Sequence, residues 1–142
     1  MKIDFDTNFF QKQAFDNKTV KRYYQNALKD FFVANKHRQE PDIAFAFCYR
    51  ALLKICLSLV SFSGHRVKSR QGHHIKLLEK GTEILKNKNI IIIGDKMRKK
   101  RNLDLYSGGF LVSTKESDEY LEFVGHVIKE AQQYLKSQNT LF

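Results

Sequence analysis

Apolar residues recur at intervals of three and four along most of this chain, the spacing that lines one face of an α-helix. Val20, Tyr23, Tyr24, Ala27, Leu28, Phe31 and Phe32 trace such a face over about four turns. Ahead of them, residues 1–17 scatter Phe5, Phe9, Phe10 and Phe15 among polar positions with no sustained period, which predicts a short leading segment packed onto the domain. Pro41 interrupts one helix and opens another. The stretch from Asp42 to Phe62 is apolar nearly all round, the pattern of a central helix covered by others. Gly64 ends it, and Ser63 to Gly72 reads as a basic loop. A third helix is predicted over about His73 to Lys86, with Ile75, Leu78, Thr82 and Leu85 facing inward.

Ile90 to Ile93 are four β-branched residues in series, which favours a strand. A lone strand of four residues would have no visible partner, and Ile93, Met97 and Arg101 follow at four-residue spacing, so the segment is read as a fourth helix. Ser107, Gly108 and Gly109 stop that helix. Ser113 with Glu116 has the spacing of a capping box, although Ser117 would cap equally well. Tyr120, Leu121, Val124, Val127, Ile128, Ala131, Tyr134 and Leu135 then form the stripe of a last helix, and residues 137–142 read as a frayed tail. The expected fold is all-α, an up-and-down bundle of about four to five helices making one domain over 1–142.

Composition agrees with a folded domain. Of 142 residues, 42% are apolar and 28% charged, with one proline, so few elements are forced to break. Cys48 and Cys56 would sit about 12 Å apart on one helix, too far to bond, and read as buried thiols in a reducing compartment. The first residues lack the apolar core of a signal peptide, and the longest apolar run carries Arg50 and Lys54 near its middle. A cytoplasmic location away from membranes is expected.

Charge changes the picture further. The net charge is +10, and five of the six residues from Lys96 to Arg101 are basic, which points to a polyanionic partner. A lysine-rich solvated surface is the plainer explanation of the same surplus. On the predicted fourth helix Arg98, Asn102 and Tyr106 share one stripe, while Arg101 extends the stripe of Ile93 and Met97 and should be sheltered. Metal-free RNA cleavage needs a base for the 2′-hydroxyl, an acid for the leaving oxygen and a cation for the phosphate. Arg98 or Arg101 supplies the cation; Tyr106 and Asp104 are the proton acceptors in reach, since no histidine occurs between His74 and His126. Lys99 and Lys100 would add phosphate contacts. His73 and His74, beside Lys68 and Arg70, either bind phosphate or serve as the surface start of a helix. His126 reads as a packing residue. No ligand spacing for a metal and no glycine-rich phosphate loop occurs, so neither metal nor cofactor is expected.

Over roughly residues 18–136 the sequence resembles the HEPN domains of prokaryotic defence and toxin–antitoxin systems. The resemblance rests on an aromatic first helix, an apolar second helix ending in glycine, Gly72, His73 and His74 opening the third, and the run from Arg101 to Tyr106 on the fourth. Family members show Arg-Asn, three further residues, then His, and often Tyr two positions later; here Tyr106 takes the histidine position and Gly108 the tyrosine position. The resemblance implies that Arg101 is the catalytic arginine and Asn102 its polar neighbour. It further implies a homodimer with two motifs facing across a cleft, RNA as the substrate, and a nucleotidyltransferase as a candidate antitoxin. Arg101 and Tyr106 point about 140° apart on one helix, which a shared cleft would reconcile. Three readings stay open: a metal-independent endoribonuclease, a catalytically inactive module that binds RNA, a nucleotide or a partner protein through the same cleft, and a purely structural interaction domain.

Overall fold

The computed structural model describes residues 2–108 and 112–138, with the backbone alone for residues 104–107. Five helices occur among the described residues: α1 (Asn17–Lys36), α2 (Pro41–Phe62), α3 (His73–Leu85), α4 (Asn89–Ser107) and α5 (Thr114–Gln138). Two short strands, β1 (Phe10–Lys12) and β2 (His65–Val67), accompany them. The all-α helical bundle expected from the periodicity is the architecture of the protein.

α2 is its centre. It opens on Pro41, whose fixed φ suits the first turn and whose missing N–H would find no partner there anyway. Tyr49, Leu52, Ile55 and Leu59 are fully buried, as are Cys48 and Cys56. Burying each large side chain contributes roughly 1.5–3 kcal/mol. The helix is long and apolar enough to cross a membrane, yet 61% of its most apolar stretch is buried beneath α1, α3, α4 and α5. Burial also pushes both thiols far up, Cys56 to about 12, so neither ionises readily.

The strands depart from the sequence reading. Phe10, Gln11 and Lys12 pair antiparallel with Val67, Arg66 and His65, so the supposed leading segment of 1–17 and the supposed loop of 63–72 form one small sheet. Neither strand has three residues of clean alternation, so no period of two was there to read. Aromatic rings fix the segment: Phe5 stacks on His65 at 3.8 Å between ring centres and meets Phe10 edge-on at 5.3 Å. Lys80, buried in α3, donates to the Asp4 carbonyl and pairs with Glu83 at 3.0 Å beneath the rings of Phe5 and Phe10.

Two helices, α1 and α3, present different faces from those expected, and α5 differs at its end. On α1 the inner residues are Val20, Tyr24, Ala27 and Ala34, with Asp30, while Leu28 and Phe32 point outward, Phe32 with 68% of its surface exposed. Asp30 turns inward because α2 offers it Lys54 at 2.7 Å and Arg50 at 3.5 Å. On α3 the inner face is Leu77, Leu78, Gly81 and Ile84, one position round from the predicted set. α5 runs to Gln138, so residues 137 and 138 belong to the helix; residues 139–142 lie outside the described residues. His126 on the same helix is exposed.

α4 forms despite its isoleucines because its start is satisfied from elsewhere. Asn87 Oδ1 accepts from Asn89 N at 3.0 Å and Thr82 Oγ1 accepts from Ile91 N at 2.9 Å, replacing an N-cap side chain. Ile90 and Met97 are fully buried, and Gly108 at φ 62° closes the helix as predicted. Ser113, rather than Ser117, caps α5, accepting from Glu116 N at 3.1 Å.

Candidate functional site at His74

The turn into α3 sets the geometry. Gly72 adopts φ 86°, a conformation strained for a residue with a side chain, and it lets the chain enter the helix directly at His73. The His73 Nδ1–H donates to the Arg70 carbonyl at 2.7 Å, so Nε2 is the nitrogen left to face outward. The rings of His73 and His74 lie 4.4 Å apart at 69°. His74 points toward α2, where its Nδ1 meets the hydroxyl of fully buried Tyr49 at 3.1 Å, leaving Nε2 as its free nitrogen.

α4 brings the arginines to the same place. The Arg101 guanidinium carbon lies 5.9 Å from the centre of the Tyr49 ring, a cation resting on an aromatic face. It is sheltered, as the stripe of Met97 predicts, and rests on this ring. Arg98 is held by Asp95, whose Oδ1 accepts from Nε at 2.9 Å. Asp95 feels burial pushing its carboxyl up, but the hydrogen bonds from Arg98 and Lys99 prevail and hold it below the usual carboxylate range.

These contacts shape the titration of the centre. Burial drives the His74 imidazole from 6.5 down to about 4, helped by the charges of His73, Arg101 and Arg98. Burial likewise pushes the Tyr49 hydroxyl up to about 12 against the pull of the same two arginines. At neutral pH a neutral imidazole is thus hydrogen-bonded to a neutral phenol, with two guanidinium groups beside them.

Two cavities meet at this imidazole. The first, about 410 Å³, is lined by Arg70, Gly72, His73, His74, Arg98 and Asn102. The second, about 400 Å³, is lined by Tyr49, Arg50, Leu53, Lys54, His74 and Arg101. His74 belongs to both.

The predicted residues are therefore partly gathered and partly dispersed. Arg98, Asn102, His73 and His74 share one cavity, and Arg101 lines the next. Lys99 is 68% exposed and pairs with Asp95 at 3.2 Å, whereas Lys100 reaches α5 to pair with Glu116 at 3.2 Å, so neither lines these cavities. The side chains of Asp104 and Tyr106 lie outside the described residues. Sequence reasoning named Arg70 only as a neighbour of the histidines and missed Tyr49, Arg50 and Lys54 as site residues. A signal existed for two of them: Arg50 and Lys54 are the charged residues of an otherwise apolar run, four apart and hence on one face.

Among the described residues no group of three or more His, Cys, Asp or Glu side chains is arranged to hold a metal ion. Compared with protein-family models, with curated proteins and with solved structures, the chain matches none.

Proposed function

We propose that the domain is a cytoplasmic, HEPN-like RNA-binding protein that cleaves RNA without a metal, with His74 standing in for the histidine its fourth helix lacks. The observation that carries this reading is the Tyr49–His74 hydrogen bond, which fixes the imidazole between two arginine-lined cavities. When Nδ1–H donates to the Tyr49 oxygen, Nε2 keeps a free lone pair and accepts the proton of a ribose 2′-hydroxyl. The 2′-oxygen then bonds to phosphorus, the bond to the 5′-oxygen breaks, and a 2′,3′-cyclic phosphate forms. In this reading the departing 5′-oxygen takes its proton from His73 Nε2. Arg98 and Arg101 offset the charge that builds on the phosphate. Tyr49 is buried and acts as a positioning residue.

One observation favours a second reading, binding without cleavage: an imidazole that titrates near 4 is a weak base. A bound phosphate answers this in part, because it offsets the arginine charges that add to burial in holding the imidazole down. The homodimer and the nucleotidyltransferase antitoxin implied by the family resemblance remain part of the proposal, the former checked by light scattering.

The test uses purified protein with total RNA in EDTA. Cleavage is expected to fall by roughly 100-fold or more in His74→Ala and in Arg101→Ala, the usual contribution of a general base or a charge-stabilising group. Binding that depends on Arg101 with no cleavage supports the second reading. RNA that is neither bound nor cut in an Arg101-dependent way refutes both.

A further inference from the structure

We propose that Arg50 and Lys54, in the α2 groove that Arg101 also lines, form a second phosphate subsite beside the phosphate that Arg98 and Arg101 hold, so that a single RNA strand lies across His74. The inference rests on the RNA reading above and adds a site to it. Its starting point is that two cavities of nearly equal size share one side chain, His74, and each has its own set of cations. Those of the first are Arg70 and Arg98, on the loop before α3 and on α4. Those of the second come chiefly from α2, whose Arg50 and Lys54 both pair with Asp30 and also line the cavity.

The cations of this groove are arranged in advance. Buried Asp30 of α1 holds Lys54 at 2.7 Å and Arg50 at 3.5 Å, and the Arg50 guanidinium also rests 4.9 Å from the centre of the Phe47 ring. Among the described residues one carboxylate is paired with Arg50 and Lys54, which leaves positive charge in surplus, and Arg50 keeps about half its surface in water. Fixing long side chains beforehand reduces the entropy lost when an anion binds. Leu53 and the Tyr49 ring give the groove an apolar floor, which suits a ribose or base edge between phosphates better than it suits the carboxylates of an acidic peptide.

The experiment measures binding of a 2′-O-methyl oligouridylate of roughly eight nucleotides, a typical span for a single-strand site, which cannot be cleaved. A dinucleoside monophosphate, with its single phosphate, serves as the short probe. Arg50→Gln leaves Lys54 on Asp30 and so keeps the buried carboxylate paired. It should weaken the long probe roughly fivefold, the scale of one half-exposed ion pair, and leave the short probe unchanged. The slope of log affinity against log salt should also drop by about 0.7, one single-strand phosphate contact. Arg50→Lys should restore most of the affinity. An unchanged slope, an equal loss for the short probe, or the same Arg50 dependence for a polyglutamate peptide overturns the subsite. If the long probe binds through Arg101 but not Arg50, the subsite fails and the RNA reading survives; if it does not bind the wild-type protein, the RNA reading fails.

Discussion

At the scale of single residues, His74 carries the most consequence. Its folded titration point lies below that of an unfolded histidine, so between about 4 and 6.5 the unfolded chain binds a proton that the folded one refuses. Stability from this group is therefore complete above pH 6.5 and is lost as pH falls toward 4. The charged and titratable neighbours facing it are Arg98 and Arg101 of α4, His73 of α3 and Tyr49 of α2. Denaturant melts across that window should show His74→Gln losing less stability on acidification than the wild type; an identical pH profile would show that the imidazole is not held neutral. Arg101 was legible from its place in the stripe of Met97. His74 was legible as a phosphate contact or a helix start but not as the centre of the site, because periodicity relates residues within one helix and its meeting with Tyr49 and Arg101 joins three.

Helices report a second kind of constraint, close approach. A Cβ on Gly81 would lie 2.6 Å from the Cys56 sulfur, and one on Gly94 would lie 2.7 Å from a Leu78 methyl. Both glycines stand inside helices, where alanine would ordinarily gain about 1 kcal/mol. Gly81→Ala should do the reverse, with a net loss of about 1–3 kcal/mol from overpacking. Adding Cys56→Ala should recover part of it, a non-additive pairing that equilibrium unfolding of the double-mutant cycle would detect. Helix positions were readable because α2 and α5 have long apolar patterns, and α4 held as a helix because Thr82 and Asn87 satisfy its first turn. The sheet was not readable: two three-residue strands are defined by their pairing and by the Phe5–His65 stack, neither of which leaves a period in the sequence. On α1, the inward turn of Asp30 depends on cations of another helix, so hydrophobicity alone placed Leu28 and Phe32 on the wrong side.

Across the whole molecule, the surplus of +10 is less informative than where it is spent. The dense run from Lys96 to Arg101 divides among solvent, α5 and the two cavities, and only Arg98 and Arg101 of that run line the space around His74. α2 and the turn before α3 supply the remaining cations, so the candidate site is a product of the bundle and not of the motif. Its chemistry depends on His74 and Arg101 acting on the same phosphate. The direct measurement is an NMR titration of the His74 imidazole with and without the uncleavable oligouridylate. Bound RNA is expected to raise the titration point by about one unit or more, since a phosphate offsets the neighbouring guanidinium charges, and Arg101→Ala should reduce that rise. RNA that binds while the His74 titration stays where it was would contradict the account.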